Sequence, residues 1–261
     1  MTASWTKLTG ALLAVVLCFL SANSLGQASS PPVVNIAAAS DLSLVMKQIA
    51  PAFEKRTGMK VNVSFGSSGN FYSQILNGAP FDVFLSADLD YPRRLIAAGA
   101  ADGNSLYIYG IGHIVVWVPG KLAELSRHGL KVLLEPSVRK IAIANPDHAP
   151  YGRAAVAALR KAGIYERVEQ KLVLGENVSQ AAQFVASGNA DAGLISLSLT
   201  REMKGPTDIL VESYPPVEQA AVVIRAAGNR GGAEAFMNFL QSDDGKHLLE
   251  EYGFMPPRGT P

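Results

Sequence analysis

From Val33 onward, short apolar runs rich in β-formers alternate with stretches in which apolar residues recur every three or four positions. Val33–Ala39 reads as a strand. A helix over Leu44–Lys55 follows, with Val45, Ile49, Ala52 and Phe53 at helical spacing. Thr57-Gly58 closes it, since glycine suits the left-handed position beyond a helix end. Val61–Phe65 is the next strand and leads through Gly66-Ser-Ser-Gly69 into a helix reaching Leu76. Asp82–Ala87 reads as strand, Tyr91–Ala98 as helix, and Ile114–Val118 as a strand stopped by Pro119-Gly120. Further strands fall at Lys140–Ala144, Lys171–Leu174, Gly193–Ser196, Asp208–Val211 and Ala220–Ile224. Helices lie near 152–162, 178–187, 233–241 and 244–252. This β-α-β-α rhythm predicts an α/β fold with parallel-rich sheets covered by helices on both faces.

No internal repeat and no Pro/Ser-rich linker divides the chain, so two lobes would have to be joined by crossing strands. The expected crossings are Ile111–Val116 and Ser213–Ala220, the second marked by Pro215-Pro216. Lobe one is then 33–112 plus 218–261 and lobe two 113–217. A single large doubly wound sheet fits the pattern as well.

The N-terminus breaks this rhythm. Lys7 precedes an apolar run of about ten residues, Ala11–Leu20, and small and polar residues follow through Ser30. Gly26-Gln27-Ala28 carries small residues at the two positions a signal peptidase reads. The run is too short for a membrane span. We expect residues 1–28 to be a signal peptide cleaved near Ala28, and the mature protein to be periplasmic. Its removal takes away Lys7 and no acid, which brings 23 basic and 22 acidic side chains into balance. It also takes away Cys18, the only cysteine, and with it disulfides and thiolate chemistry. With no basic excess and no basic stripe, nucleic acid is not expected as a partner.

Ligands of open α/β sheets collect where strands end and helices begin, because helix N-termini offer unpaired N–H groups and a partial positive charge. Four such junctions are small or hydroxylated: Ala37-Ala-Ala-Ser40, Ser67-Ser68-Gly69, Ala149-Pro-Tyr151-Gly152 and Asn177-Val178-Ser179. Each alone has a plainer reading. Ser40 and Asn177 are good N-caps, and Ser67-Ser68-Gly69 makes an ordinary capped turn. Convergence of several donor-rich, charge-poor junctions is what favours an anion site. Hydrolase chemistry fails on spacing: Gly66-Ser67-Ser68-Gly69-Asn70 lacks the closing glycine of a nucleophile elbow. His113, His128, His148 and His247 lack metal-ligand spacing, and no phosphate-cradling or dinucleotide loop is present.

Taken in order, Ala37-Ala-Ala-Ser40, Phe65-Gly-Ser-Ser68, Gly78-Ala-Pro-Phe-Asp82-Val-Phe-Leu-Ser-Ala-Asp88, Asn145-Pro-Asp-His-Ala-Pro-Tyr-Gly152, Gly193-Leu-Ile-Ser196 and Tyr252-Gly-Phe254 resemble the periplasmic molybdate-binding proteins of ABC transporters. The resemblance runs from Val33 to Phe254. It implies a two-lobed type II periplasmic binding protein that closes on a tetrahedral oxyanion in the interlobe cleft. The anion would be molybdate, with tungstate expected too, handed to an inner-membrane permease that works with a cytoplasmic ATPase. It implies a monomer with no cofactor and no catalytic residues.

Carried over by position, the oxyanion donors are Ser40, Ser68, Tyr151, Val178 and Ser196, with Asp41, Ser67 and Gly69 behind them. Molybdenum would enter only as its oxyanion, held through these same residues. Tyr151 and Val178 are positions where the family commonly uses the backbone N–H. Many members have tyrosine where this chain has Ser196. The expectation is that the Tyr151 phenol stands in, with packing over the cleft mouth as the plainer alternative. Asp41 is a second departure. A carboxylate facing a dianion is costly unless a proton lies between them, so it is expected to point away and cap its helix. If it points inward, a protonated oxyanion such as hydrogen phosphate becomes the preferred ligand. Receptors for sulfate, thiosulfate or phosphate, and more remotely an exported serine hydrolase, remain the alternatives.

Overall fold

The computed structural model describes residues 32–119, 128–202, 207–209 and 213–257. From Pro32 the chain forms one compact unit holding two five-stranded sheets. The first is built from β1 (Val33–Ala39), β2 (Lys60–Gly66), β3 (Val83–Ser86), β4 (Tyr107–Gly112) and β10 (Val217–Val223), in the order β2-β1-β3-β10-β4. The second is built from β5 (Ile114–Trp117), β6 (Ile141–Ala144), β7 (Leu172–Gly175), β8 (Ala192–Ser196) and β9 (Thr207–Ile209), in the order β7-β6-β8-β5-β9. Only His113 separates β4 in one sheet from β5 in the other. The chain returns from β9 to β10 past Pro215-Pro216. The predicted signal peptide and the end of the predicted strand at 208–211 lie outside the described residues.

Among the described residues eight α-helices connect and cover the strands: α1 (Met46–Thr57), α2 (Ser68–Leu76), α3 (Asp90–Ala97), α4 (Pro150–Lys161), α5 (Tyr165–Val168), α6 (Val178–Ala186), α7 (Arg230–Gln241) and α8 (Asp243–Glu251). Both faces of the first sheet are used, as the period of two in β1 requires. Val34, Ile36 and Ala38 join the core beneath α1, α7 and α8, where Phe53 meets Phe236 edge-on at 5.4 Å. Ala37 joins the opposite core with Phe71, Leu95 and Val222. Gly58 ends α1 at φ 73°, the left-handed position anticipated for it.

Three features depart from the pattern reading. The sheets are mixed: β10 runs antiparallel to β3 and β4, and β5 antiparallel to β8 and β9. The apolar run of a buried strand carries no sign of its direction, which long-range pairing decides. Tyr107–Gly112 is a full strand that the pattern merged into a crossing. The single-turn helix α5 is too short for a periodicity to register.

Candidate functional site

The parallel strands β1, β2, β6 and β7 fix where their C-terminal ends lie, and the loops beyond them meet around one small cavity. The first sheet contributes Ala39–Asp41, Gly66–Ser68 and Ala87 to its wall. The second contributes Ala149–Tyr151, Asn177 and Val178. The cavity leaves about 10 Å³ for the centre of a water-sized sphere, so only a compact solute fits without opening it. A wider cleft of about 800 Å³ lies alongside and shares Ser40 and Asn177.

Three helices, α2, α4 and α6, begin on this wall. Ser68 and Val178 are first residues of their helices and Tyr151 a second residue, so their N–H groups have no intrahelical acceptor. Pro150 has no N–H to leave unpaired and suits the first turn. The Ser68 hydroxyl accepts from the Ala87 N–H at 2.9 Å, which leaves its own proton to donate. Ser40 does not cap its own short 3-10 turn, Ser40–Leu42; its oxygen accepts from the Ser179 N–H of α6 at 3.3 Å. Ser67 and Asn177 do act as caps, accepting from Asn70 N–H and Gln180 N–H. No lysine or arginine lines the cavity among the described residues. The site is neutral apart from Asp41, and its positive potential comes from the three helix ends.

Contacts between the two halves ring this cavity. The Ser179 hydroxyl donates to the Ser40 carbonyl at 2.8 Å, and the Ser198 hydroxyl to the Asp41 carbonyl at 2.7 Å. The Gly69 N–H donates to the His148 carbonyl at 2.9 Å, and Ser67 Oγ meets His148 Nδ1 at 2.8 Å. Arg153 of α4 reaches Asp88 at 2.5 Å and the Tyr91 hydroxyl at 3.3 Å. Burial pushes the Asp88 carboxyl above its ordinary range, against the pull of the Tyr91 N–H and Arg153. The serine that meets a histidine is therefore Ser67, and its oxygen is already engaged as the cap of α2. That use suits a contact between the halves better than a nucleophile.

Asp41 and Tyr151 are placed differently from expectation. Asp41 is fully buried on the cavity wall instead of capping a helix toward solvent. Its Oδ2 accepts from Gln219 Nε2 at 2.7 Å, while Oδ1 has no partner. Burial raises its pKa from 3.8 to about 6, although hydrogen bonding from Gln219 and the nearby Tyr151 phenol favours the charged form. The Tyr151 oxygen accepts from Ser196 Oγ and from Gln219 Nε2, both at 2.9 Å. Its phenol thus faces a buried polar network and not the cleft mouth. Burial, then the Asp41 charge, pushes the Tyr151 pKa well above its ordinary value, so it stays protonated. Ser196 is too short to reach the cavity wall and spends its hydroxyl on Tyr151 and Ser198.

Gln219 is the residue that sequence reasoning missed. It is fully buried in β10, where its Oε1 lies 2.6 Å from the Tyr109 hydroxyl and its Nε2 donates to Asp41 and Tyr151. Its local signal is faint: Glu218 and Gln219 stand together near the start of Val217–Val223, and only Gln219 points inward. Gly112 makes room for the network: a Cβ there would lie 2.2 Å from the Tyr151 hydroxyl oxygen.

Comparison with known proteins places this chain in a family. The model for "bacterial extracellular solute-binding protein" matches residues 34–255. The molybdate-binding protein of Azotobacter vinelandii is 38% identical over 240 residues, 90% of this chain and 94% of that protein. That of Rhodobacter capsulatus is 36% identical over 221 residues, 84% of this chain and 86% of that protein. A solved structure described as the Azotobacter vinelandii periplasmic molybdate-binding protein superposes with a TM-score of 0.80 at 32% identity, covering 86% of this chain and all of that one. With the two sheets, the junctions between them and these similarities in place, the chain belongs to the bacterial extracellular solute-binding proteins, in the family of the molybdate-binding proteins.

Proposed function

We propose that this protein captures molybdate, and tungstate with it, in the periplasm and delivers it to the permease of an ABC transporter without transforming it. Residues 1–28 serve as the export signal in this reading, with cleavage near Ala28. The observation that carries it is the small cavity walled by hydroxyls and three helix N-termini, with no cationic side chain among the described residues. Molybdate is fully deprotonated at neutral pH, so its oxygens only accept hydrogen bonds, and a wall of fixed donors suits it. The hydroxyls of Ser40 and Ser68 and the N–H groups of Tyr151 and Val178 bind the oxygens. Ser67 and Gly69 shape the junction, and Ser196 acts only through Tyr151. The names of the similar proteins point to the same anion. Calorimetric titration of the mature protein with molybdate, tungstate, sulfate and phosphate tests this reading. Tight binding of sulfate or phosphate, with molybdate inert, would overturn it.

Ser68→Ala removes one donor to a charged ligand and is expected to weaken molybdate binding roughly ten- to hundredfold. It also takes the acceptor from the Ala87 N–H, at a cost of about 1–3 kcal/mol in stability, which a urea melt reads separately. Unchanged affinity in the folded variant would remove Ser68 from the site.

The two halves, 33–112 with 218–261 and 113–217, act as lobes that close on the anion about the passages at His113 and Pro215-Pro216. A ligand held from both sides favours the closed form by its differential affinity. Small-angle scattering is expected to show a smaller radius of gyration with saturating molybdate. An unchanged radius at saturation would count against closure.

A further inference from the structure

We propose that Asp41 makes oxyanion capture proton-linked: a fully deprotonated anion is held with Asp41 protonated, so binding from neutral solution takes up one proton. The inference rests on the oxyanion-binding reading above and adds the residue that senses the charge of the ligand.

The geometry leaves Asp41 little choice. It lines the same cavity as Ser40, Ser68, Tyr151 and Val178, and none of its surface reaches solvent. Oδ2 accepts from Gln219 Nε2, and the Gln219 Oε1 lies 2.6 Å from the Tyr109 hydroxyl. Oδ1 has no hydrogen-bond partner. As a carboxylate, Asp41 would set a bare negative oxygen in the wall of a cavity built for anions. With a proton on Oδ1 it supplies a further donor.

Burial outweighs the hydrogen bonds from Gln219, Tyr151 and the Asp41 and Leu42 backbone that favour the charge, and no cation neutralises it among the described residues. Tyr151 of α4 and Tyr109 of β4 face it, both kept protonated by burial, with Tyr214 and Asp88 beyond them. From β10 comes the neutral Gln219, and from α6 the uncharged Ser179 and Asn177 neighbourhood. The short turn Leu197–Glu202 brings Arg201, whose guanidinium goes to the Glu251 carbonyl. Asp41 has no ion pair among the described residues. Burial, set against those hydrogen bonds, brings its pKa to about 6, and a dianion in the same cavity moves it further upward. Between the empty-site and loaded-site values, affinity falls as pH rises, tenfold for each pH unit in the limit of one proton taken up. The proton balance is simple: one H⁺ leaves the solvent and forms the O–H bond at Asp41 as each deprotonated anion enters. An oxyanion that brings its own proton needs no such uptake, since an ionised Asp41 can accept from it.

The test is calorimetry with molybdate on the mature wild type and on Asp41→Asn, from pH 6 to 8.5, in buffers of different ionisation enthalpy. Asparagine keeps an acceptor for Gln219 and carries a permanent N–H donor where Oδ1 stood. The wild type is expected to lose about tenfold in affinity per pH unit above pH 6.5 and to take up close to one proton per ion at pH 7.5. Asp41→Asn should show a flat profile, no uptake, and tighter binding than wild type at pH 8. A wild type with no proton uptake overturns the proposal without any variant, as does an Asp41→Asn protein that keeps the wild-type slope. If neither protein binds molybdate even at pH 6, the oxyanion-binding reading itself has failed and the proposal falls with it. Slopes and uptake without that loss of binding concern Asp41 alone.

Discussion

A Gly69→Ala variant is expected to remain folded and to lose about a hundredfold in molybdate affinity, the upper end of what overpacking a tight contact costs. A Cβ at position 69 would lie 2.6 Å from the His148 carbonyl oxygen and 2.9 Å from the His148 Cα, both main-chain atoms that cannot swing aside. The third neighbour, the Tyr91 hydroxyl at 2.6 Å, is the end of a side chain and has more freedom. His148 belongs to the half of the molecule opposite Gly69, so the added methyl group acts as a wedge between the halves. It also pushes apart the Gly69 N–H and His148 carbonyl, now 2.9 Å from one another. Neither half loses a core contact. Titration reads the affinity and a urea melt the stability. Wild-type affinity in a stable Gly69→Ala protein would mean that the close approach at His148 is not needed to hold the anion.

The second large effect concerns stability and its dependence on pH. Asp41→Asn is expected to stabilise the empty protein by about 3 kcal/mol at pH 8. The sign follows from a carboxyl whose pKa rises from 3.8 to about 6 on burial. Its protonated form is tolerated in the fold, so stability is full below about pH 4. It is lost as pH rises to about 6 and is constant above that. Asparagine does not titrate, so the gap between variant and wild type should widen between pH 4 and 6 and then hold steady. Urea melts at pH 4.5, 6 and 8 measure it. A gap independent of pH would show that Asp41 has the same pKa in the folded and unfolded chain.

Much of this architecture is legible in the chain because the signals are local. The hydroxylated junctions at Ser40, Ser67-Ser68-Gly69, Pro150-Tyr151-Gly152 and Asn177-Val178 stand out since caps and helix starts are written within a few residues. The structure brings all four around one cavity. What is not legible depends on residues distant in sequence. Gln219 reaches Asp41 only because β10 inserts antiparallel between β3 and β4, and nothing in the run Val217–Val223 states that direction. The neighbours Pro150 and Gly152 place Tyr151 at a helix start, whereas its phenol is claimed by Ser196 and Gln219 from other strands. Asp41 looks like a surface cap until β4, β10 and α4 close over it.

Since the cavity holds its positive potential as the dipoles of three helix ends, dissolved salt has little to act on. Screening weakens interactions between charges bathed in solvent, over a Debye length of about 8 Å at physiological ionic strength. Donors enclosed between two sheets are beyond its reach. Acidic and basic side chains also balance in the chain without residues 1–28, so no strong field draws the anion in from a distance for electrolyte to blunt. Capture is governed by diffusion and by the fit of the cavity. Anion affinity at this site is accordingly expected to be nearly the same in dilute buffer and in salt water.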